Sequence, residues 1–174
     1  MIVLGIDPGT ANTGYGVVQG DGRGPASLVE CGVIRTRARE PLPVRLLEIY
    51  DDVAAIIARH KPDAVCVEDV FYAKNVRTTV VLGHARGVVL LAAQQALVPI
   101  YELSPAVIKK SVVGTGAATK EQVQFMLTRL LRLKTVPQPS DAADGVAAAL
   151  AHLMSARVPS LASVPAASTR RAHA

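Results

Sequence analysis

The sequence predicts an α/β domain with a five-stranded mixed sheet and helices on both faces. Two observations carry that expectation. Three strand-like segments joined by short turns open the chain, and helical and strand-like segments then alternate before a helical end. Hairpin-linked strands pair antiparallel, whereas strands separated by a helix pair in parallel through right-handed crossovers, so the sheet must be mixed.

The elements follow in order. Ile2 to Ile6 is a continuous β-branched and Leu run that stops at Asp7-Pro8-Gly9, which marks a buried strand ended by a turn. Tyr15 to Gln19, the loop Gly20-Asp21-Gly22-Arg23-Gly24 and Leu28 to Arg35 suggest an antiparallel hairpin. Leu46, Ile49, Tyr50, Val53, Ile56 and Ile57 recur at helical spacing, which predicts an amphipathic helix over 43–60. Ala64 to Val70 reads as a second buried strand carrying Glu68 near its end.

Residues 76–96 form a long, largely apolar helix, in which Gly83 and Gly87 would let another element approach closely. Ile100 to Leu103 is a short strand, and Ser104-Pro105 then supplies an N-cap and a first-turn proline. Thr119 with Gln122 makes a capping box opening a helix to about Leu133. After the break at Pro137-Gln138-Pro139, Ser140 caps a last helix through about Arg157. From Pro159 onward small residues, Pro and Arg show no periodicity. The expected organisation is one domain over 1–158 and a disordered tail over 159–174.

Composition narrows the function classes. At 174 residues, half of them apolar and 19% charged, the chain is globular and large enough for one core. With no Trp and two Phe, that core must be built from Val, Leu, Ile and Ala. Residues 1–70 carry seven Lys/Arg against ten Asp/Glu, and residues 71–140 carry nine against two. An acidic region followed by a basic one suits a cation site set in an anion-attracting surface, although solvated helix faces would give the same imbalance. Cys31 and Cys66 lie in strand-like runs without a partner at metal-ligand spacing, so they read as buried free thiols of a cytoplasmic protein. No apolar stretch is long enough to span a bilayer.

Four carboxylates stand where apolar packing cannot explain them. Asp7 and Glu68 end buried strands, where a charge is costly unless a cation pairs with it. Asp141 and Asp144 are three apart and share one face at the start of the last helix, otherwise Ala and Val. Each alone has a plainer reading, as a turn former, a solvated strand end or a helix-dipole partner. Together they converge, because the first strand and the strand after the first long helix should lie side by side with the closing helix across their ends. Four oxygen ligands on rigid elements suit two hard divalent cations, Mg²⁺ best and Mn²⁺ next. His60, His84 and His152 stand isolated on helices, and no nucleophile set competes.

In this order the motifs resemble the RuvC crossover junction endodeoxyribonucleases, almost collinearly from Ile2 to about His152. The blocks are Leu4-Gly-Ile-Asp-Pro-Gly-Thr10 with Thr13-Gly-Tyr-Gly-Val17, Glu68-Asp-Val-Phe-Tyr-Ala-Lys-Asn75 and Leu82-Gly-His-Ala-Arg-Gly87. Val112-Val-Gly-Thr-Gly116 with Lys120 and Ser140-Asp-Ala-Ala-Asp-Gly145 complete the set. The resemblance implies a ribonuclease-H-like fold and a homodimer that nicks two opposed strands of a Holliday junction in recombination and repair. It also implies the branch-migration proteins RuvA and RuvB as partners. Asp7, Glu68, Asp141 and Asp144 match the family's catalytic metal ligands, with two ions per subunit. Phe71 matches an aromatic that stacks on an unpaired base, and Lys109 and Lys120 match basic residues near the cut. Lys110 beside Lys109 can share that role.

The residues themselves agree in part. Phe71 follows a strand-end carboxylate in a polar loop with Lys74, Asn75 and Arg77, an arrangement that suits DNA binding by base stacking, while a core Phe at the loop's root is the alternative. An ATP-binding domain of the actin and sugar-kinase type shares the opening Asp-Pro-Gly-Thr turn, but it needs a second domain and a second phosphate loop. A non-catalytic DNA-binding module has no use for four converging carboxylates.

Overall fold

The structure, a computed structural model, describes residues 1–21, 24–69 and 76–155. Strand β1 (Ile2–Asp7) is followed by β2 (Asn12–Gln19), β3 (Ser27–Arg35), helix α1 (Leu42–His60) and β4 (Ala64–Glu68). Then come α2 (Val76–Gln95), β5 (Ile100–Leu103), α3 (Pro105–Val113), α4 (Lys120–Leu130) and α5 (Ser140–Ser155). The expected five-stranded mixed sheet is present, in the order β3-β2-β1-β4-β5. β1 runs antiparallel to β2 and parallel to β4, and β4 runs parallel to β5. Among the described residues no helix is long and apolar enough to cross a membrane.

Strand alternation sorts the core onto two faces. Leu4, Ile6, Val17, Val65 and Val67 bury against α1 and α2. Val3, Val18 and Cys66 bury on the opposite face with α3, α4 and α5. By that parity Asp7 and Glu68, each the last residue of its strand, share the α5 face with Val3 and Cys66.

Helix α5 reaches that face because glycines clear its path. A Cβ on Gly5 would overlap the Gly145 carbonyl oxygen, and one on Gly14 would overlap the Asp141 carbonyl. Gly14 is the cross-strand partner of Asp7, so this close approach sets the first turn of α5 beside the end of β1.

Several details depart from expectation. Among the described residues no element packs on Gly83 or Gly87, since a Cβ on either meets nothing within 4 Å. Helix α4 stops at Leu130, short of Leu133, because Arg132 takes a left-handed φ of 53°. Cys31 is half-buried, whereas Cys66 is fully buried, and burial pushes its thiol up to about 12. His60 is paired: its Nε2 lies 2.6 Å from Glu30 Oε2, while Glu30 Oε1 accepts from Tyr15 at 2.8 Å and from Arg59 at 2.7 Å. His152 is buried with its ring centroid 4.1 Å from that of Tyr101, a packing role. The expected tail, the tip of the first hairpin, and Phe71 and Lys74 lie outside the described residues, as does the side chain of Arg77.

Candidate active site

The turn after β1 is pinned from within. Thr13, fully buried, donates its hydroxyl to the Gly9 carbonyl at 2.6 Å and accepts from the Gly9 amide at 3.3 Å. Two anchored points thus fix the backbone just beyond Asp7. Glu68 is fixed by its ladder with Leu103 on β5, and the next amide, of Asp69, donates to the Leu103 carbonyl at 2.9 Å.

The four carboxylates line two neighbouring cavities. One, of about 580 Å³, is lined by Asp7, Glu68, Asp69 and Asp141 with the Pro8–Asn12 turn, Leu82 and Pro105. The other, of about 230 Å³, is lined by Asp7, Glu68 and Asp144 with Lys109 and Lys120. Asp7 and Glu68 are common to both. Asp141 serves only the first and Asp144 only the second.

The electrostatics show how closely these groups sense one another. Burial pushes the Asp7 carboxyl up to about 6, and the charges of Asp144 and Asp141 add to that rise. Glu68 is pushed up to about 8, again by burial first and then by Asp7 and Asp144. Burial also raises Asp144, against the pull of Lys120, whose Nζ donates to Asp144 Oδ2 at 2.6 Å. Burial alone would lower the Lys120 ammonium. The bond to Asp144 and the charges of Asp144, Asp141 and Asp7 outweigh it and hold the ammonium above its ordinary value.

Like charges brought together in a half-buried cleft call for cations. Lys109 and Lys120 supply part of that need. The remaining donors are all carboxylate oxygens, which suit a hard divalent ion. Among the described residues no three of these side chains converge on a single metal position. The donors therefore fit ions held by one or two carboxylates each, the usual manner of Mg²⁺, better than one ion clasped by all.

Of the other residues singled out in the sequence, Lys109 lines the smaller cavity and Lys110 beside it is exposed. One pairing was missed. Arg86 on α2 pairs with Asp69 Oδ1 at 3.2 Å and with Glu102 on β5, which ties the carboxylate beside Glu68 to α2. No local pattern announces this tie, because it depends on how α2 lies over β4 and β5.

The comparisons with known proteins agree with this geometry. The profile of the family described as crossover junction endodeoxyribonuclease RuvC matches residues 3–152. The chain belongs to the RuvC family. The family's crossover junction endodeoxyribonuclease from Chloroflexus aggregans is 49% identical over 156 residues, covering 90% of this chain and 94% of the relative. The RuvC from Syntrophomonas wolfei is 45% identical, covering 92% of each chain.

Among solved structures, Thermus thermophilus RuvC is similar at a TM-score of 0.84 and 40% identity, covering 90% of this chain and 96% of that one. The same protein solved in complex with a Holliday junction substrate has a TM-score of 0.83 at 37% identity, with the same coverage. The yeast mitochondrial Holliday junction resolvase shares the fold, with a TM-score of 0.63 at 15% identity.

Proposed function

We propose that this RuvC-family chain resolves four-way (Holliday) DNA junctions, hydrolysing one phosphodiester in each of two opposed strands during recombination and repair. The observation that carries this is the paired cavity: Asp7 and Glu68 stand between Asp141 on one side and Asp144 on the other, with Lys109 and Lys120 at the edge. Two Mg²⁺ ions, with Mn²⁺ as substitute, fit these oxygens. Asp141 would help to hold one ion and Asp144 the other, with Asp7 and Glu68 between them, so that each ion has one or two carboxylates. Such ions, when bound, activate the attacking water and stabilise the leaving 3′-oxygen.

The chain's own residues do the rest. The pinned Gly9 turn and the β4–β5 ladder keep Asp7 and Glu68 from shifting as charge accumulates. Lys120 balances Asp144 until DNA arrives and is then placed to contact a phosphate next to the scissile one, with Lys109 beside it and Lys110 outside. Phe71, Lys74 and Arg77 complete the DNA-binding set, Phe71 by stacking on an unpaired base at the crossover.

Symmetric nicking asks for a homodimer. Its best support is the outer face of α2, where Val76 (78% exposed), Val80 (54%), Gly83, Gly87 and Leu91 (58%) form one apolar stripe at helical spacing. The glycines there leave room for the same helix of a second copy. RuvA and RuvB are the partners implied by family membership, and the cytoplasm is the expected place. Residues 1–158 are proposed as the nuclease unit, with 159–174 dispensable for the chemistry.

Incubation with a synthetic four-way junction, beside plain duplex of the same sequence, tests the activity. Paired symmetric nicks should appear on the junction alone and vanish in a chelator. Equal cutting of the plain duplex would overturn the assignment.

A further inference from the structure

One concavity, larger than either carboxylate cavity taken singly, lies apart from the cleft. It has a volume of about 710 Å³ and is lined by α4 and the loop behind it, from Glu121 to Val136. Its outer wall carries three exposed cations, Arg129, Arg132 and Lys134, against one acid, Glu121. Among the described residues, none of the three cations pairs with a carboxylate. Phe125 is 57% exposed on the same wall, and the Arg129 guanidinium lies over its ring, 5.2 Å from the centroid. The ring is thereby a platform for the guanidinium, since a cation over an aromatic face is held in place while its N–H groups stay free to donate.

The position of this wall matters as much as its charge. Its first residue, Glu121, follows Lys120, whose ammonium touches Asp144. The loop that closes it leads back to Ser140 and Asp141 at the start of α5. The concavity is therefore bracketed in sequence by the two ends of the active site. Arg129 lies nine residues along α4 from Lys120, a distance of about 14 Å at the helical rise. For a duplex arm that runs along α4 from the cut, that distance spans roughly four base pairs at ~3.4 Å each.

From this we infer that Arg129, Arg132 and Lys134 grip the phosphate backbone of one duplex arm of the DNA, about four base pairs from the cut, with Phe125 orienting Arg129. This rests on the junction-nuclease assignment above and deepens it. A duplex held only at the cleft could pivot about the scissile phosphate. A second hold on the same arm removes that freedom, which fixes the strand's direction through the cleft. Charge complementarity and continuity with the active site favour DNA over a protein as the occupant. An acidic peptide that bound here and was displaced by neither junction nor duplex would speak for a protein instead, and against the arm.

The test is a salt titration of binding by the full chain, in chelator so that no DNA is cut. The wild type is compared with Arg129→Gln/Arg132→Gln/Lys134→Gln on a four-way junction and on plain duplex. For every phosphate that is no longer neutralised, the slope of log affinity against log salt should become shallower by about 0.9. The triple variant should therefore differ by roughly 2–3, with the loss of affinity largest at low salt. Phe125→Leu should give a smaller change in the same direction.

A triple variant with the wild-type slope overturns the inference, whether its affinity is unchanged or uniformly lower. A wild type with no preference for junction over duplex strikes the junction assignment instead, and the slope difference on either DNA still decides the arm grip.

Discussion

Lys120 at the start of α4 donates to Asp144 on the first turn of α5, Nζ to Oδ2 at 2.6 Å, and so ties the basic half of the chain to its acidic site. The ammonium lowers the proton affinity of Asp7, Glu68 and Asp144 together. Lys120→Met should let all three keep their protons to higher pH. If nicking needs them ionised, the acid limb of the pH–rate profile should move upward, and the deficit should be large near pH 6 and shrink toward pH 9. Profiles that run parallel at every pH would show that Lys120 acts on the DNA alone.

The raised carboxyls also make a prediction for the metal-free fold. Asp7 sits at about 6 and Glu68 at about 8 in the folded protein, above their ordinary values of 3.8 and 4.5. The folded state thus holds these protons more tightly than the unfolded one. Stability should fall as pH rises, from 3.8 to about 6 for Asp7 and from 4.5 to about 8 for Glu68. Asp7→Asn removes one of these penalties, on the order of 1–3 kcal/mol. At roughly 2–4 °C per kcal/mol, its melting temperature in chelator at pH 8 should exceed the wild type's by several degrees. The gap should close near pH 4. A less stable amide at pH 8 would mean that Asp7 is satisfied without metal.

Glycines separate two kinds of packing. Gly14→Ala would drive a methyl group into the Asp141 carbonyl, and overpacking of this kind costs about 1–3 kcal/mol or more. It should lower the melting temperature and displace Asp141, so cutting should fail even where folding survives. Gly83→Ala meets nothing among the described residues and should raise helix propensity by about 1 kcal/mol. Yet if a second copy packs on α2, Gly83→Leu should leave a folded monomer. Sedimentation of the two variants decides this, and a dimeric Gly83→Leu would remove α2 from the interface.

That contrast also shows what the sequence could reveal. Continuous apolar runs and turn residues were enough to find every strand, and an apolar run that ends in a carboxylate is a local signal that singled out Asp7 and Glu68. The glycine pair at Gly83 and Gly87 was equally visible, but spacing alone cannot tell packing within a chain from packing between chains. The glycines that bring α5 onto the sheet, Gly5, Gly14 and Gly145, are meaningful only once strand register is known. Apolar residues continue past Leu130 at helical spacing, so the end of α4 was hidden until the left-handed turn at Arg132 appeared. The Arg86 tie to Asp69 and Glu102 joins three elements and leaves no trace in any one of them.

The sharpest prediction separates binding from cutting. Asp7→Asn, Glu68→Gln and Asp144→Asn each keep the side-chain shape, so the fold should survive. Each also removes a charge that a divalent ion would need, and Mg²⁺ tolerates little departure from its preferred geometry. Asp7 and Glu68 line both cavities, so their amides should disturb two ion positions at once and lower nicking by orders of magnitude. Asp144 lines one cavity and Asp141 the other, so Asp144→Asn and Asp141→Asn should cost less individually and more in combination. Junction affinity in chelator should not fall in any of them, because Lys and Arg hold the phosphates while unfilled carboxylates repel them. It should rise slightly for Asp7→Asn above about pH 6, and for Glu68→Gln only above about pH 8, where those carboxyls carry charge in the metal-free fold. Gel-shift affinity in chelator and nicking rate in Mg²⁺ give the two readouts. An Asp7→Asn protein that cuts at the wild-type rate would defeat the mechanism.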